Sequence, residues 1–265
     1  MALLTLLTDF GLDDWYVAAV KGVVLGLVPG TPIVDISHAV PPGDVETAAF
    51  LLAAAAPAFP AGTVHLAVVD PGVGSARRLL VVETADALFL APDNGLLTPL
   101  VQAAGAVARA ADRPDLYRPP PVGGGQTFHG RDRFAPLAAA LLRGEPAAAL
   151  GPEISDPVLL PAEPPRRERD LLLGRVVHVD RFGNLVTDIP AGWLPDTPFQ
   201  PFRATVGGAS RPITHRVTHY RELPAGEPGI LAGSLGTLEI SLDGADLAKL
   251  WKVGRGALVR VALTL

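Results

Sequence analysis

Short apolar runs alternate with longer amphipathic stretches through the first 150 residues of the chain. An apolar run that ends in a polar turn predicts a buried strand, and a stretch that follows Asp and stops before Pro-Gly predicts a helix. The predicted strands are Leu3–Leu7, Pro32–Ile36, Thr63–Val69, Leu79–Glu83 and Ala87–Leu90, and the predicted helices are Trp15–Leu27 (capped by Asp13 or Asp14), Asp44 to about Ala56, and Gly130–Arg143. Strands that alternate with helices favour a mainly parallel, Rossmann-like α/β sheet with helices on both faces.

The pattern changes after residue 160. Proline and charged residues without periodicity over Pro161–Asp170 predict a linker. The rest of the chain predicts short strands with glycine-rich turns and one short helix, which is typical of a small β-barrel. The strands are Gly174–Val179, Leu185–Ile189, Arg203–Val206, Pro212–Val217, Leu238–Leu242 and Leu258–Leu265, and the helix is Ala245–Trp251. We therefore predict an N-terminal α/β domain over residues 1–163 and a smaller C-terminal β-barrel domain over residues 164–265.

Composition narrows the classes of function. The formal net charge is −5, and phosphate neutralisation needs a basic face, so we expect no nucleic-acid partner. The absence of cysteine excludes disulfides, thiolate zinc sites, Fe–S clusters and a cysteine nucleophile. The longest apolar run, Ala48–Phe59, contains Pro57 and is shorter than the roughly 20 residues that cross a bilayer. The apolar Met1–Leu7 lacks a basic flank and predicts a first strand rather than a signal peptide. We expect a cytoplasmic protein without a membrane partner.

Polar side chains lie at the ends of four of the predicted strands in the first domain. They are Asp9, the group Asp35, Ser37 and His38, then Asp70, and the pair Asp93 and Asn94. Ligands of an open parallel sheet bind outside the carboxyl ends of its strands, so this placement predicts a small-molecule site. Asp and Asn also begin turns and cap helices, which is an equally good explanation of any one of them.

Two glycine-rich segments carry the sharpest candidates. In Asp70–Arg78 the glycines allow backbone N–H groups to approach a ligand, and a turned loop would bring Arg77 close enough to pair with Asp70. The segment lacks the Gly-Lys-Ser/Thr of a P-loop. In Gly123–Phe134 a glycine hinge leads to a helix start, where His129 is a functional candidate and Asp132 suits the positive end of the helix dipole.

Histidines and turns elsewhere have ordinary structural explanations. Four histidines lie in strand-like segments and are predicted to be packing or surface residues: His65, His178, His215 and His219. In the second domain, Asp180–Asn184 and Gly233–Glu239 are predicted to form turns between strands.

The ordered set of motifs resembles the S-adenosyl-L-methionine (SAM) hydroxide adenosyltransferase family, the adenosine-forming SAM hydrolases, to which fluorinase and chlorinase are related. The resemblance spans nearly the whole chain. It is carried by Thr8–Gly11, Val34–His38, Val68–Arg78, Pro92–Gly95, Thr127–Phe134, Phe182–Asn184 and Gly233–Ile240.

The resemblance implies the fold predicted above and a homotrimer whose sites each lie between one subunit's N-domain and a neighbour's C-domain. It implies a catalytic set of Asp70, Arg77 and His129, with Asp9 on the ribose hydroxyls. It also implies that the methionine amino and carboxylate groups are bound by Asp180, Asn184 and Ser234. Halide-using relatives have tyrosine where this chain has Asp70. The sequence departs from the family pattern at Gly233 and Thr237, where an Asn and an aromatic residue are common.

The implied reaction is hydrolysis of SAM to adenosine and L-methionine by water attacking C5′, with no metal or redox cofactor. Asp70 would deprotonate or only position that water, and His129 would share the proton. Three alternatives remain from the sequence. One is a chlorinase-like 5′-halo-5′-deoxyadenosine synthase. Another is a sensor that binds an adenosine ligand without turnover. The third is a metal-dependent phosphatase or nuclease that uses Asp9, Asp35, His38 and Asp70.

Overall fold

The structure, a computed structural model, describes residues 2–119, 122, 124–125, 127–161, 163–194, 201–207, 209 and 211–263. The chain divides into two compact units, residues 1–161 and residues 162–265. Each has its own β-sheet, so the fold is mixed α/β with two sheets and few helices.

The first unit contains six strands and four α-helices among its described residues. In chain order they are β1 (Leu4–Thr8), α1 (Tyr16–Leu27), β2 (Ile33–Ser37), α2 (Val45–Ala55), β3 (Thr63–Val68), β4 (Leu79–Glu83), β5 (Ala87–Pro92), α3 (Thr98–Val101), β6 (Val107–Ala111) and α4 (Ala135–Leu142). A π-helical turn, Gly130–Phe134, leads into α4.

Strand direction decides which loops meet in this unit. The sheet order is β2-β1-β3-β5-β4-β6, with β2, β1, β3 and β5 parallel to one another. Strand β4 runs antiparallel to both its neighbours, β5 and β6. The carboxyl ends of β1, β3 and β5 therefore share one edge of the sheet with the start of β4.

Both faces of this sheet are covered, as the alternation of its apolar side chains requires. Leu6, Leu66 and Leu90 belong to a core shared with α1 and α4. Leu7 and Ala67, one position along, belong to the opposite core, which includes buried residues of α2. Strands buried on both faces read as continuous apolar runs, which is why the sequence pattern located them.

The second unit is a curled sheet with eight strands in its described part. Its elements are β7 (Arg166–Glu168), β8 (Leu171–Val179), β9 (Leu185–Pro190), β10 (Arg203–Val206), β11 (His215–Arg216), β12 (Gly229–Ala232), β13 (Thr237–Ser241), α5 (Leu247–Trp251) and β14 (Leu258–Ala262). The order is β10-β14-β8-β9-β13-β12-β11, and β7 pairs with β8. Ala204 of the edge strand β10 bridges Ile213, two residues before β11 at the other edge. The sheet thus curls into a half-barrel around an apolar core.

Several local predictions need correction. Helix α1 begins after Trp15 without a side-chain cap, so neither Asp13 nor Asp14 caps it. By contrast, the Asp44 carboxylate accepts from Thr47 N at 3.0 Å, which confirms the cap on α2. The predicted linker contains β7, because Arg166–Glu168 pairs along β8 despite its charge.

Other predictions concern strand lengths. The strand expected over Pro212–Val217 is limited to β11, because Ile213 bridges Ala204 of β10, whereas His215 and Arg216 pair with β12. The last strand ends at Ala262 rather than Leu265, and Thr264 and Leu265 lie outside the described residues. The sequence pattern did not reveal β6, β12 or α3. Within the described part of the chain, none of the helices combines the length and apolar character needed to cross a bilayer.

His65 on β3 confirms the packing role predicted for it. It is 1% exposed, its Nδ1 lies 2.7 Å from Thr5 Oγ1, and its ring stacks on Phe89 with centroids 4.7 Å apart. Burial lowers the pKa of His65 from 6.5 to about 4. The folded protein therefore holds His65 neutral at a pH where the unfolded chain would protonate it.

This burial predicts a specific loss of stability in acid. Because His65 binds its proton more weakly in the folded state, its contribution is fully present above pH 6.5 and is lost as the pH falls toward 4. The His65→Gln variant lacks this titration. Urea unfolding across that window should show a steeper fall in the free energy of unfolding for the wild type, by up to about 1.4 kcal/mol per pH unit. Parallel pH profiles for the two proteins would contradict this account.

Candidate active site

A cavity of about 590 Å³ opens at the strand-end edge of the first unit. Its lining comes from the end of β3, the loops after β1 and β3, the start of α1, the loop before α2, and the segment that leads into the π-helical turn. The lining residues are Asp9, Phe10, Tyr16, Pro42, Gly43, Val68, Asp70, Pro71, Val73, Thr127, Phe128, His129 and Gly130. The cavity therefore lies where the sheet topology predicts a ligand site.

Asp70 and Arg77 form a closed ion pair at this cavity. Arg77 Nε donates to Asp70 Oδ1 at 2.7 Å, and Arg77 Nη2 donates to Asp70 Oδ2. The side chains are only 5% and 8% exposed, respectively. The pairing arises because the loop leaves β3 and enters the antiparallel β4 at the same edge. Asp70 lines the cavity, whereas Arg77 does not.

His129 completes a contiguous set with this pair. Its Nδ1 lies 3.0 Å from Arg77 Nη2. A guanidinium has only donors, so Nδ1 must be the acceptor, and a neutral His129 carries its proton on Nε2. Nε2 is buried, and no group in the described part of the chain hydrogen bonds with it.

The surroundings of His129 favour the neutral ring. Burial lowers its pKa below the ordinary value, and the positive charges of Arg133 and Arg77 lower it further. Asp70 and Asp132 act in the opposite direction without overcoming these effects. His129 therefore offers an N–H donor near neutral pH and has no free lone pair with which to take up a proton.

Asp9 lies on another wall of the cavity. Its Oδ2 accepts from Gly43 N at 2.8 Å, which ties the end of β1 to the loop before α2. Gly43 has φ +72°, a left-handed conformation that side chains rarely adopt. One Asp9 oxygen thus holds the loop, and a second carboxylate oxygen remains to interact with a ligand.

One wall of the cavity is aromatic, and the sequence pattern did not predict it. The rings of Phe10 and Tyr16 each lie within 6 Å of the Phe128 ring, at centroid distances of 5.9 and 5.1 Å, and all three residues line the cavity. Trp15 packs edge-on against Phe128 at 5.4 Å. Phe10 and Phe128 lie inside the two motifs that carry Asp9 and His129, and this adjacency was the available signal.

Other strand-end candidates lie outside this cavity's lining. Asp35 pairs with Lys21 at 2.6 Å and with His38 Nε2 at 3.1 Å, and His38 Nδ1 contacts Thr8 Oγ1 at 2.8 Å. Asp35 and His38 therefore have structural partners. Across the described ranges, no three His, Asp or Glu side chains are grouped so that they would hold a metal ion. The set needed by a metal-dependent phosphatase is not assembled there.

The candidates of the second unit lie at a separate cavity of about 530 Å³ within that unit. Asp180 and Asn184 line it, with Asp180 Oδ2 accepting from Asn184 Nδ2 at 2.8 Å. Asp180 Oδ1 also accepts from the backbone N–H groups of Phe182 and Asn184, both at 2.9 Å. The same carboxylate therefore closes the predicted turn. Phe182, which is 75% exposed, also lines the cavity.

Ser234, the third residue expected to bind methionine, is not among the described residues that line this cavity. It is exposed in the turn between β12 and β13. Gly233 N donates to Thr237 O at 2.8 Å and closes the turn. In the glycine hinge of the first unit, which precedes His129, Gly123 and Gln126 fall outside the described residues.

Comparison with known proteins decides the family. The family model for the SAM hydroxide adenosyltransferase N-terminal domain matches residues 4–151, and the model for the C-terminal domain matches residues 174–260. The chain belongs to the SAM hydroxide adenosyltransferase family. The two matches together span most of both compact units, and the residues that line each cavity fall within the matched ranges.

Full-length relatives agree with this assignment. A protein named (R)-S-adenosyl-L-methionine hydrolase from Thermus thermophilus is 40% identical, with 96% of this chain and 97% of that protein covered. One of the same name from Salinispora tropica is 39% identical, with 96% and 95% covered. A fluorinase from Actinoplanes is 26% identical over 98% and 97%. The crystal structure of an uncharacterized conserved protein from Thermotoga maritima matches with a TM-score of 0.90 at 33% identity, covering 98% of this chain and 100% of that one.

Proposed function

We propose that this protein hydrolyses SAM to adenosine and L-methionine by attack of water on C5′. The observation that carries the proposal is the contiguous set of Asp70, Arg77 and His129 beside the cavity of the first unit. The names of its relatives support the substrate, and the carboxylate of Asp70 supports water over halide. A buried anion at this position would repel chloride or fluoride but can accept a hydrogen bond from water.

The difficult part of the reaction is the attack by water, which is a weak nucleophile. The sulfonium of SAM leaves as the neutral thioether of methionine, so the leaving group needs no acid. Water supplies the oxygen that bonds to C5′ as the C5′–S bond breaks, and one proton is released. Positioning of water in line with that bond can supply several kcal/mol. No metal or redox cofactor is required by this balance.

Asp70 would orient the water and take up its proton as the C–O bond forms. The bidentate Arg77 fixes the carboxylate in place and stabilises its charge. Because Arg77 donates to His129 Nδ1, His129 would not act as the base. It would instead donate from Nε2 or hold the Arg77 guanidinium in position. Of the proton-sharing role expected from the family resemblance, only proton donation then remains.

Substrate recognition is proposed to use both units. In the first, Asp9 would bind the ribose hydroxyls, since a carboxylate oxygen remains after its bond to Gly43. In the second, Asp180, Asn184 and Ser234 would bind the amino and carboxylate groups of methionine. We further propose a homotrimer in which a neighbouring subunit completes each site. Sedimentation should then show a trimer, and a fully active monomer would contradict this assembly.

A product assay tests the proposed activity. Purified protein incubated with SAM should release adenosine and methionine in equal amounts, at the same rate with or without a chelator. When the assay is repeated in a chloride buffer, 5′-chloro-5′-deoxyadenosine as the only nucleoside product would refute hydrolysis. Binding of SAM without any product would support a sensor, and activity abolished by chelator would support a metal enzyme.

A further inference from the structure

The turn after β5 lies between the two ends of the loop that carries Asp70 and Arg77. Strand β5 is hydrogen bonded to β3 on one side and to β4 on the other. The β3–β4 loop must therefore cross over the carboxyl end of β5, a span of about 10 Å for two strand spacings. Asp93 and Asn94, the first residues after β5, lie at the middle of that span.

Asn94 holds the first end of the loop. Its Nδ2 donates to Val69 O at 2.9 Å, and Val69 immediately precedes Asp70. Its Oδ1 accepts from Leu96 N at 3.2 Å, which fixes the orientation of the amide. The side-chain amide thus uses its donor on the loop and its acceptor on its own turn.

Asp93 holds the second end. Its backbone N–H donates to Arg78 O at 3.1 Å, and its Oδ2 accepts from Arg78 Nε at 2.7 Å. Arg78 immediately follows Arg77. The Asp93 carboxylate is 2% exposed, and its Oδ1 accepts from Val158 N at 2.8 Å. The two adjacent arginines therefore have separate carboxylates, Asp70 at the cavity and Asp93 beneath it.

The middle of the loop supplies little rigidity of its own. Residues 73–76 are exposed, and Gly74 has φ +84°. The internal backbone bonds are two short turns, from Val73 N to Asp70 O at 3.2 Å and from Ser75 N to Gly72 O at 3.1 Å. The Asp70–Arg77 pair joins the two ends of the loop to each other, and contacts from outside the loop are needed to fix both ends relative to the sheet.

We propose that Asp93 and Asn94 are positioning residues that clamp both ends of the β3–β4 loop and so hold Asp70 and Arg77 in register for the reaction. This inference rests on the proposed function for its catalytic consequence. The clamp itself is a statement about the loop and can be measured without turnover.

Isosteric variants test the clamp. Asn94→Asp keeps the acceptor for Leu96 N but loses the donor to Val69 O, and Asp93→Asn removes the charge that faces Arg78. Asp156→Asn is the matched control, because Asp156 Oδ1 accepts from Arg78 Nη1 at 2.8 Å with a side chain that is 77% exposed. The readouts are kcat, the SAM dissociation constant and hydrogen–deuterium exchange of the peptide spanning residues 69–78.

We expect both clamp variants to lower kcat about tenfold with the SAM dissociation constant changed less than twofold, because small displacements of reacting groups reduce rate more than binding. Exchange in residues 69–78 should become faster in both variants and remain unchanged in the control. If residues 69–78 exchanged in the clamp variants at the wild-type rate, the clamp would be overturned, whether or not the melting temperature fell. If the wild type produced no adenosine, the proposed function would fail, and the exchange experiment would still decide the clamp.

Discussion

Replacing Asp70 with asparagine should lower kcat by about 10²–10⁴-fold while SAM binds with nearly unchanged affinity. The amide is the same size but is a poor proton acceptor and carries no charge for Arg77 to stabilise. Asparagine is preferred to alanine because it still offers one oxygen to the buried guanidinium, and an unpaired buried arginine would cost several kcal/mol of stability. Single-turnover rates and calorimetric SAM binding would separate the two effects.

A matched control exists on the surface of the same unit. Asp115 also accepts a bidentate pair from an arginine, with Arg113 Nε and Nη2 at 2.8 and 2.7 Å, but it is exposed and outside the candidate cavity. Asp115→Asn should therefore leave kcat unchanged. Equal losses of binding and turnover in Asp70→Asn would assign Asp70 to substrate binding and contradict its role in the chemical step.

Replacing Arg77 with lysine should lower kcat by about 10²-fold and also destabilise the fold by about 2 kcal/mol. Lysine keeps the charge, but one ammonium cannot reproduce the planar fork that donates to both Asp70 oxygens while reaching His129 Nδ1. Losing this contact frees Nδ1 and leaves a buried carboxylate incompletely paired. The rate is measured with saturating SAM, and stability by urea unfolding.

Arg113→Lys provides the comparison for this variant. Its bidentate pair is much more accessible, with side chains 30% and 61% exposed, so the substitution should change stability by less than about 1 kcal/mol and leave turnover intact. A fully active Arg77→Lys protein would show that charge alone is sufficient and that the fork geometry has no part in catalysis.

The sequence predicted five of the six strands described in the first unit, and the pattern was clearest in β1, β3 and β4, where burial on both faces gives a continuous apolar run. Strand-end placement also predicted that Asp9 and Asp70 would approach one cavity, since the carboxyl ends of parallel strands share one edge of a sheet. The grouping of His129 with Asp70 came from the family resemblance, and Asp35 and His38, expected at the same edge, do not line that cavity. The sequence did not predict the aromatic wall of Phe10, Tyr16 and Phe128, because contacts across loops have no period along the chain.

Other features depended on pairing partners that local sequence does not encode. The charged segment Arg166–Glu168 resembles a linker until β8 offers it a strand edge. Asp93 and Asn94 resemble ordinary turn residues, and only the sheet order β3-β5-β4 places them under the loop of Asp70. The tautomer of His129 likewise followed from Arg77 at Nδ1, a contact across 52 residues.

Isotope labelling shows whether water attacks C5′ beside Asp70. SAM is incubated with the protein in H₂¹⁸O containing chloride, and the nucleoside product is analysed by mass spectrometry. If water attacks C5′, the product is adenosine with one ¹⁸O at the 5′ position in the proportion present in the solvent, and Asp70→Asn forms this labelled adenosine about 10²–10⁴-fold more slowly. Unlabelled adenosine, or 5′-chloro-5′-deoxyadenosine in its place, would contradict attack by water.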